Sequence, residues 1–202
     1  MDVAPMHAQR RQLLLFAALG ALTACLPACR GEVAGLAQGD RFPVLALPYL
    51  DSSKGLFEDD ATAPLVVNFW ASWCEPCRRE MPSLEKLGAL FHPGELQVIG
   101  VAVDSDVNLA REFSLRYRLT FPVLSDNGMA LSNGVLHIPA FPMTYLLRQD
   151  RTVASVIIGE RDWAAPGMVA QIEELLAVRH RQVSGSVSLY NQYNQNEVAA
   201  DS

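Results

Sequence analysis

The chain has 202 residues, of which half are hydrophobic and 19% are charged. This composition allows one sizeable buried core and makes a single domain the default expectation. The formal net charge is −6 and there is no long basic run, so nothing in the sequence favours nucleic-acid binding.

The first 24 residues have the pattern of an export signal. Arg10 and Arg11 precede an apolar run, Leu13 to Ala24, that is short for a bilayer span. The run ends in Leu-Thr-Ala-Cys25, which resembles a bacterial lipobox, where the signal is cleaved before a cysteine that then carries lipid. A plain cleaved signal or an uncleaved anchor remains open, as do Sec and Tat export. Each alternative places the protein outside the cytoplasm, in the periplasm or at the membrane.

Composition shifts divide the rest of the chain. We assign residues 1–24 to the signal, 25–38 to a tether, 39–181 to the folded domain and 182–202 to a tail. The tail is rich in Ser, Asn and Gln with few apolar residues, which predicts disorder.

The first half of the domain carries one clear strand and one clear helix. Val44–Leu47 is a candidate first strand, and the apolar run Leu65–Trp70 predicts a strand covered on both faces of a sheet. From Cys77 onward, apolar residues at helical spacing predict a helix that contains Pro82 and ends at His92-Pro93-Gly94. They are Met81, Leu84, Leu87 and Phe91.

The second half alternates further strands and helices. One predicted helix spans residues 108–118, with Asp104, Ser105 or Asp106 near its cap, and another spans 163–177. The predicted strands are 96–103, 121–124, 143–147 and 153–158, the last two joined as a hairpin.

Cys74 and Cys77 form the chemical centre of the sequence. Cys74 follows the predicted strand and opens a helix, where unpaired N–H groups and the helix dipole lower the pKa of a thiol. Cys77 lies about one turn further on, close enough to attack a mixed disulfide formed at Cys74. A bare CxxC is also half of a zinc site, but Pro76 in the first turn and Trp73 beside the pair favour redox chemistry.

The stretch from Asn68 to Pro82, Asn-Phe-Trp-Ala-Ser-Trp-Cys-Glu-Pro-Cys-Arg-Arg-Glu-Met-Pro, resembles extracytoplasmic thioredoxin-like reductases of the TlpA, ResA and CcmG type, which are AhpC/TSA-like redoxins. The similarity extends more loosely from about Gly39 to about Leu176. It implies an α/β thioredoxin-like fold with a central mixed β-sheet flanked by helices. An N-terminal extension and a central helix-and-strand insertion are also implied. The implied activity is reduction of protein disulfides, for example in cytochrome c or metal-site maturation.

The resemblance also assigns a role to Glu80, because the family places there an acid that modulates the thiols. A carboxylate near a thiolate raises the thiol pKa, and it can accept the proton of Cys77 during attack on the mixed disulfide. Ordinary thioredoxins instead bury an acid on the preceding strand, where this chain has Asn68.

A cis-proline that faces the cysteines is a further implied feature. We assign it to Pro142 rather than Pro139, because residues 143–147 continue as the following strand does in relatives. Trp73, Phe141 and Pro142 are then the expected substrate-binding residues, with the Phe141 backbone pairing with an extended substrate.

No Gly-rich nucleotide motif is present, so we expect no cofactor beyond the Cys74–Cys77 disulfide. We also expect no metal, because the domain has only one CxxC and its histidines lack ligand-like spacing. The expected partners are a protein disulfide substrate, such as apocytochrome c or a copper-site apoprotein, and a membrane thiol transporter as electron donor. Copper delivery by the CxxC with His137 and a non-catalytic interaction role remain alternatives. A peroxidase is disfavoured because the Pro-x-x-x-Thr-x-x-Cys pattern is missing ahead of Cys74.

Overall fold

The computed structural model describes residues 35–51, 55–57, 59 and 62–181. The export signal, the lipid-bearing role of Cys25, most of the tether and the tail at 182–202 lie outside the described residues, so those assignments stay predictions. Within the described part, no helix combines the length and apolar character that crossing a membrane requires.

A five-stranded mixed sheet forms the centre of the fold. Its order is β3-β2-β1-β4-β5, with β1, β2 and β3 parallel to one another and β4 and β5 antiparallel to their neighbours. The strands are β1 Leu65–Trp70, β2 Gln97–Ala102, β3 Val123–Ser125, β4 Met143–Leu147 and β5 Val153–Ile158. The predicted mixed sheet is confirmed, and the bounds of β1, β4 and β5 agree with the predicted ones.

The central position of β1 follows from its composition. All six of its residues are buried, as expected for a strand with packed layers on both faces. Asn68 is the one strongly polar side chain in this strand, and it therefore needs hydrogen-bond partners inside the core.

In the described part of the chain, three helices pack around the sheet: α1 Glu75–Leu90, α2 Val107–Tyr117 and α3 Pro166–Leu176. In α1 the predicted apolar stripe is buried, and Pro76 lies in the first turn, where its missing N–H costs nothing. Among the three candidate caps of α2, Asp106 takes the position and accepts the Asn108 backbone N–H at 2.9 Å.

Two predicted elements are wrong. Val44–Leu47 is not a strand, because the Ala46 N–H donates within the segment to the Val44 carbonyl at 3.1 Å and only isolated bridges flank the segment. The last helix begins at Pro166 rather than Trp163. Proline suits the first turn of a helix. The backbone N–H of Trp163 instead donates to the Ser83 hydroxyl at 3.1 Å.

Candidate active site around Cys74 and Cys77

Cys74 and Cys77 form a disulfide at the start of α1, with an S–S distance of 2.03 Å and Cα atoms 5.3 Å apart. Cys74 is the N-cap residue, and its Sγ accepts the Cys77 backbone N–H at 3.3 Å. The sulfur thus lies where first-turn N–H groups point. A thiolate at Cys74 is stabilised there by these donors and by the helix dipole.

The two sulfurs differ in accessibility. Cys77 is fully buried, while Cys74 keeps 6% of its surface exposed. The exposure of Cys74 is smaller than its expected role suggests, but it is the one cysteine of the pair that solvent and a partner reach. Trp73, next to it, is 61% exposed.

Glu80 is buried in a cradle of three hydrogen-bond donors. Its Oε1 accepts the Asn68 Nδ2 at 2.7 Å, and its Oε2 accepts the Arg161 backbone N–H at 3.1 Å and the Trp163 indole N–H at 3.0 Å. Only 1% of the residue is exposed. Glu80 is therefore not an exposed helical glutamate.

The protonation of Glu80 reflects two opposing effects. Burial raises the pKa of its carboxyl, whereas the bonds from Trp163, Asn68 and Arg161 lower it, and the nearby charge of Glu160 raises it again. The net result is a pKa above the ordinary value for glutamate. A carboxyl of this kind takes up a proton more readily than a surface glutamate does.

Much of this cradle was not predictable from the sequence. Asn68 stands out as the polar residue on β1, but its bond to Glu80 is a tertiary contact. Arg161 and Trp163 lie 81 and 83 residues from Glu80 along the chain. No local pattern connects them, and Trp163 had been assigned to a helix.

The structure also orders the loop that precedes Cys74. The buried Asp104 accepts the Ser72 backbone N–H at 3.0 Å and the Ser72 hydroxyl, which ties this loop to the end of β2. The sequence places Asp104 among the candidate caps of α2, a position that Asp106 takes instead. The actual contact of Asp104 holds the loop between β1 and the cysteines.

The predicted substrate-binding residues come from two loops. The Phe141–Pro142 peptide bond is cis, as the resemblance implies, and the pairing of Phe69 with Met143 brings this loop beside the end of β1. The rings of Trp73 and Phe141 meet edge to face with centroids 6.1 Å apart. The structure thus places Trp73 against Phe141, which directly precedes Pro142.

Charges around the helix start are partly compensated. Glu75 pairs with Arg78 at 3.4 Å and with Arg79 at 3.5 Å, and Arg79 also makes a bidentate contact with Glu160. All four side chains are considerably exposed, so each pair contributes little to stability. The guanidinium groups nonetheless reduce the repulsion that Glu75 exerts on a thiolate.

No group of three or more His, Cys, Asp and Glu side chains in the described part of the chain is arranged to hold a metal ion. His137 lies in the loop before the cis-proline, with a positive φ of 49°.

The mixed sheet, the disulfide at the start of α1 and the cis-proline define the class: a thioredoxin-like thiol-disulfide oxidoreductase, which exchanges disulfides with protein substrates. The model of the AhpC/TSA family matches residues 38–156, more than half of the chain. The chain belongs to this family.

Two relatives and two solved structures illustrate the similarity. Thioredoxin-like protein YneN of Bacillus subtilis is 31% identical over 128 residues, covering 62% of this chain and 74% of YneN. Thiol-disulfide oxidoreductase ResA of Bacillus cereus is 28% identical over 123 residues, covering 61% of this chain and 70% of ResA.

Among structures, a putative thiol:disulfide interchange protein DsbE from Chlorobium tepidum has a TM-score of 0.59 at 26% identity, covering 69% of this chain and 95% of that one. A secreted Mycobacterium tuberculosis disulfide oxidoreductase homologous to E. coli DsbE has a TM-score of 0.52 at 26% identity. The match covers 62% of this chain and 93% of that one.

Proposed function

We propose that this protein reduces disulfide bonds of other proteins outside the cytoplasm, with Cys74 and Cys77 as the reacting pair and Glu80 as the proton acceptor. The observation that carries the proposal is the asymmetry of the pair. Cys74, which keeps 6% of its surface exposed, caps a helix, whereas Cys77 is fully buried and a buried acid follows it one turn later on the same helix.

In the first step, the reduced Cys74 thiolate attacks one sulfur of a substrate disulfide. The S–S bond of the substrate breaks, one substrate sulfur leaves as a thiolate, and a mixed disulfide joins Cys74 to the substrate. The N-terminus of α1 favours the attacking anion.

In the second step, Cys77 attacks the Cys74 sulfur. The mixed disulfide breaks, the second substrate sulfur leaves, and the Cys74–Cys77 disulfide of this structure forms. Two electrons have then passed from the dithiol to the substrate. The thiol proton of Cys77 passes to Glu80, which follows three residues later and thus lies on the same face of α1.

The substrate docks on the aromatic surface formed by Trp73 and Phe141. The exposed indole of Trp73 provides apolar contact area next to Cys74. The backbone of Phe141 pairs with an extended segment of the substrate, and Pro142 keeps that backbone turned toward the cysteines.

The site of action is the outer face of the cytoplasmic membrane. The signal-like residues 1–24 support export, and Cys25 is the proposed point of lipid attachment. A relative of similar structure is described as secreted. Apocytochrome c and copper-site apoproteins are the proposed substrates, and a membrane thiol transporter resupplies electrons. The Cys74–Cys77 disulfide is the one redox group required.

Substrate trapping tests this proposal. A Cys77→Ala variant retains the attacking sulfur and lacks the resolving one, so mixed disulfides with substrates should accumulate in cells. They should disappear on treatment with reductant and be absent from the Cys74→Ala variant, which is the matched control. Equal trapping by both variants, or none by Cys77→Ala, contradicts the proposal.

A further inference from the structure

The two carboxylate oxygens of Glu80 have partners of different kinds. Oε2 accepts from the Arg161 backbone N–H and the Trp163 indole N–H, and neither of these groups can act as an acceptor. Oε1 accepts from the side-chain amide of Asn68 at 2.7 Å. An amide carries a donor at one end and an acceptor at the other, so only the partner of Oε1 is able to exchange the two roles.

Asn68 itself has an unequal environment. Its Nδ2 donates to Glu80 and also lies 2.9 Å from the Thr144 hydroxyl. Its Oδ1 is buried and has no hydrogen-bond partner among the described residues. An unpaired buried acceptor is costly, so this orientation is favoured only while the bond from Nδ2 to a charged carboxylate compensates for it.

We propose that Asn68 is a two-way partner of Glu80 that selects Oε1 as the oxygen that receives the proton of Cys77. The ionised carboxylate accepts from Nδ2, as in this structure. When Oε1 gains the proton, the amide turns over and Oδ1 accepts the new O–H. This inference rests on the proposed role of Glu80 and makes Asn68 a positioning residue.

The choice of Oε1 follows from the surrounding groups. A proton on Oε2 would meet two N–H groups that cannot turn away, one of them part of the backbone. A proton on Oε1 without rotation would face the Nδ2 donor of Asn68 and leave both the O–H and Oδ1 unpaired. Turning the amide pairs Oδ1 with the new O–H and removes the contact between two donors, while Nδ2 moves to the position that Oδ1 held and gives up its partners. The Thr144 hydroxyl adapts because it can donate as well as accept.

The other groups that face Glu80 do not supply an alternative acceptor. On α1 itself, Cys77 lies three residues before Glu80 and is the proposed source of the proton. From the loop after β5, Glu160 contributes a negative charge and is engaged by Arg79 in a bidentate contact. Asn68 from β1, held by Thr144 from β4, is therefore the group that responds to protonation.

A nuclear magnetic resonance titration of the oxidised protein tests the inference directly. At high pH, the Asn68 amide protons should show a nuclear Overhauser contact with the side chain of Thr144. This contact should be lost as pH falls. The midpoint of the loss should coincide with the midpoint of the titration followed by the chemical shift of the Glu80 carboxyl carbon. Persistence of the contact through that midpoint would overturn the proposal.

The Glu80→Gln variant provides a second, independent readout. The two fixed donors should hold the carbonyl oxygen of the new amide in the place of Oε2, so its NH2 group faces Asn68. Asn68 should then be turned over at every pH, and its contact with Thr144 should be absent throughout. A contact that remains as in the ionised wild type would contradict the proposal.

Both measurements use oxidised protein without substrate, so they remain readable if disulfide reduction itself is not observed. Failure of the proposed function would instead appear as absent trapping by Cys77→Ala.

Discussion

At the scale of single residues, the environment of Glu80 differs from that of an ordinary exposed glutamate on a helix. The carboxyl is removed from water, yet three donors surround it. Burial dominates, and the pKa stays above its ordinary value. Such a balance suits a group that must alternate between the charged and neutral forms during one reaction cycle.

This raised pKa has a consequence for stability. The folded state binds the Glu80 proton more tightly than the unfolded state, so the corresponding stabilisation is present below the ordinary pKa of 4.5 and is lost as pH rises through the folded value. The stability of the wild type relative to Glu80→Gln should therefore fall as pH rises from about 4 to neutral, by about 1.4 kcal/mol for each unit that separates the two pKa values.

Urea unfolding of both proteins across this pH range measures the difference. Glu112→Gln, at an exposed position on α2, is the matched substitution. If the difference in the free energy of unfolding between wild type and Glu80→Gln does not change with pH, folding does not raise the pKa of Glu80.

Trp163→Phe should raise the pKa of Glu80 further. Phenylalanine retains most of the buried ring but lacks the indole N–H that donates to Oε2 at 3.0 Å. A hydrogen bond to a charged group contributes about 1.5–3 kcal/mol, so the increase should be about one to two pH units. A carbon-13 titration of Glu80 measures it, with Trp73→Phe as the control at an exposed tryptophan. Equal titration curves for Trp163→Phe and wild type would show that the hydrogen bond from the Trp163 indole does not lower the pKa of Glu80.

At the scale of secondary-structure elements, sequence pattern was sufficient where burial and periodicity agree. The apolar run of β1, the strands β4 and β5 and the stripe of α1 were predicted because each packs in the way its own composition favours. The Val44–Leu47 prediction failed because a short apolar segment alone does not create a neighbouring strand to pair with.

The candidate site divides in the same manner. The positions of Cys74, Cys77 and Glu80 on one helix start were predictable because they are local. Trp163 and Arg161 were not, because their contacts with Glu80 depend on how the loop after β5 folds back onto α1. The start of α3 was misplaced for the same reason: Trp163 is engaged in a tertiary contact rather than in a helix.

One buried ion pair connects elements far apart in sequence. Arg151, in the turn between β4 and β5, pairs with Asp59 and donates to the backbone oxygen of Ala63 at 2.8 Å. Both charged side chains are at most 9% exposed. Removing one partner leaves an uncompensated charge, so Arg151→Met should destabilise the fold by about 3–5 kcal/mol.

Chemical denaturation measures this loss. Arg116→Met provides the matched control, since the Arg116–Glu112 pair is exposed and should contribute less than about 1 kcal/mol. Arginine and methionine are both L-residues with a Cβ, so the positive φ of 66° at position 151 costs a similar amount in the wild type and in Arg151→Met. Equal stability of the two variants would show that the Arg151 pair is not a significant stabilising contact.

At the scale of the whole molecule, the proposed function combines export with a redox-active domain. Mass spectrometry of the membrane fraction should find a mature chain that begins with lipid-modified Cys25, because the preceding residues resemble a lipobox. A mature chain that begins elsewhere without lipid would contradict anchoring and leave a secreted protein, while the chemistry of Cys74 and Cys77 would be unaffected.

The direction of electron flow depends on which state of the cysteine pair is favoured. The helix dipole stabilises the thiolate, by about 0.3–1 kcal/mol at a surface site, and therefore favours the reduced form. The carboxylates of Glu75 and Glu80 oppose the thiolate, although Arg78 and Arg79 offset part of the effect of Glu75. Since about 1.4 kcal/mol corresponds to 30 mV for this two-electron couple, these contributions shift the potential by tens of millivolts.

The most direct test of the central claim is the reduction potential of the Cys74–Cys77 pair, measured by equilibration against glutathione or dithiothreitol buffers. A reductant should have a potential closer to that of thioredoxin, about −270 mV, than to that of the strong oxidant DsbA, about −120 mV. A value near −120 mV would contradict the account, because the pair would then oxidise thiols rather than reduce disulfides.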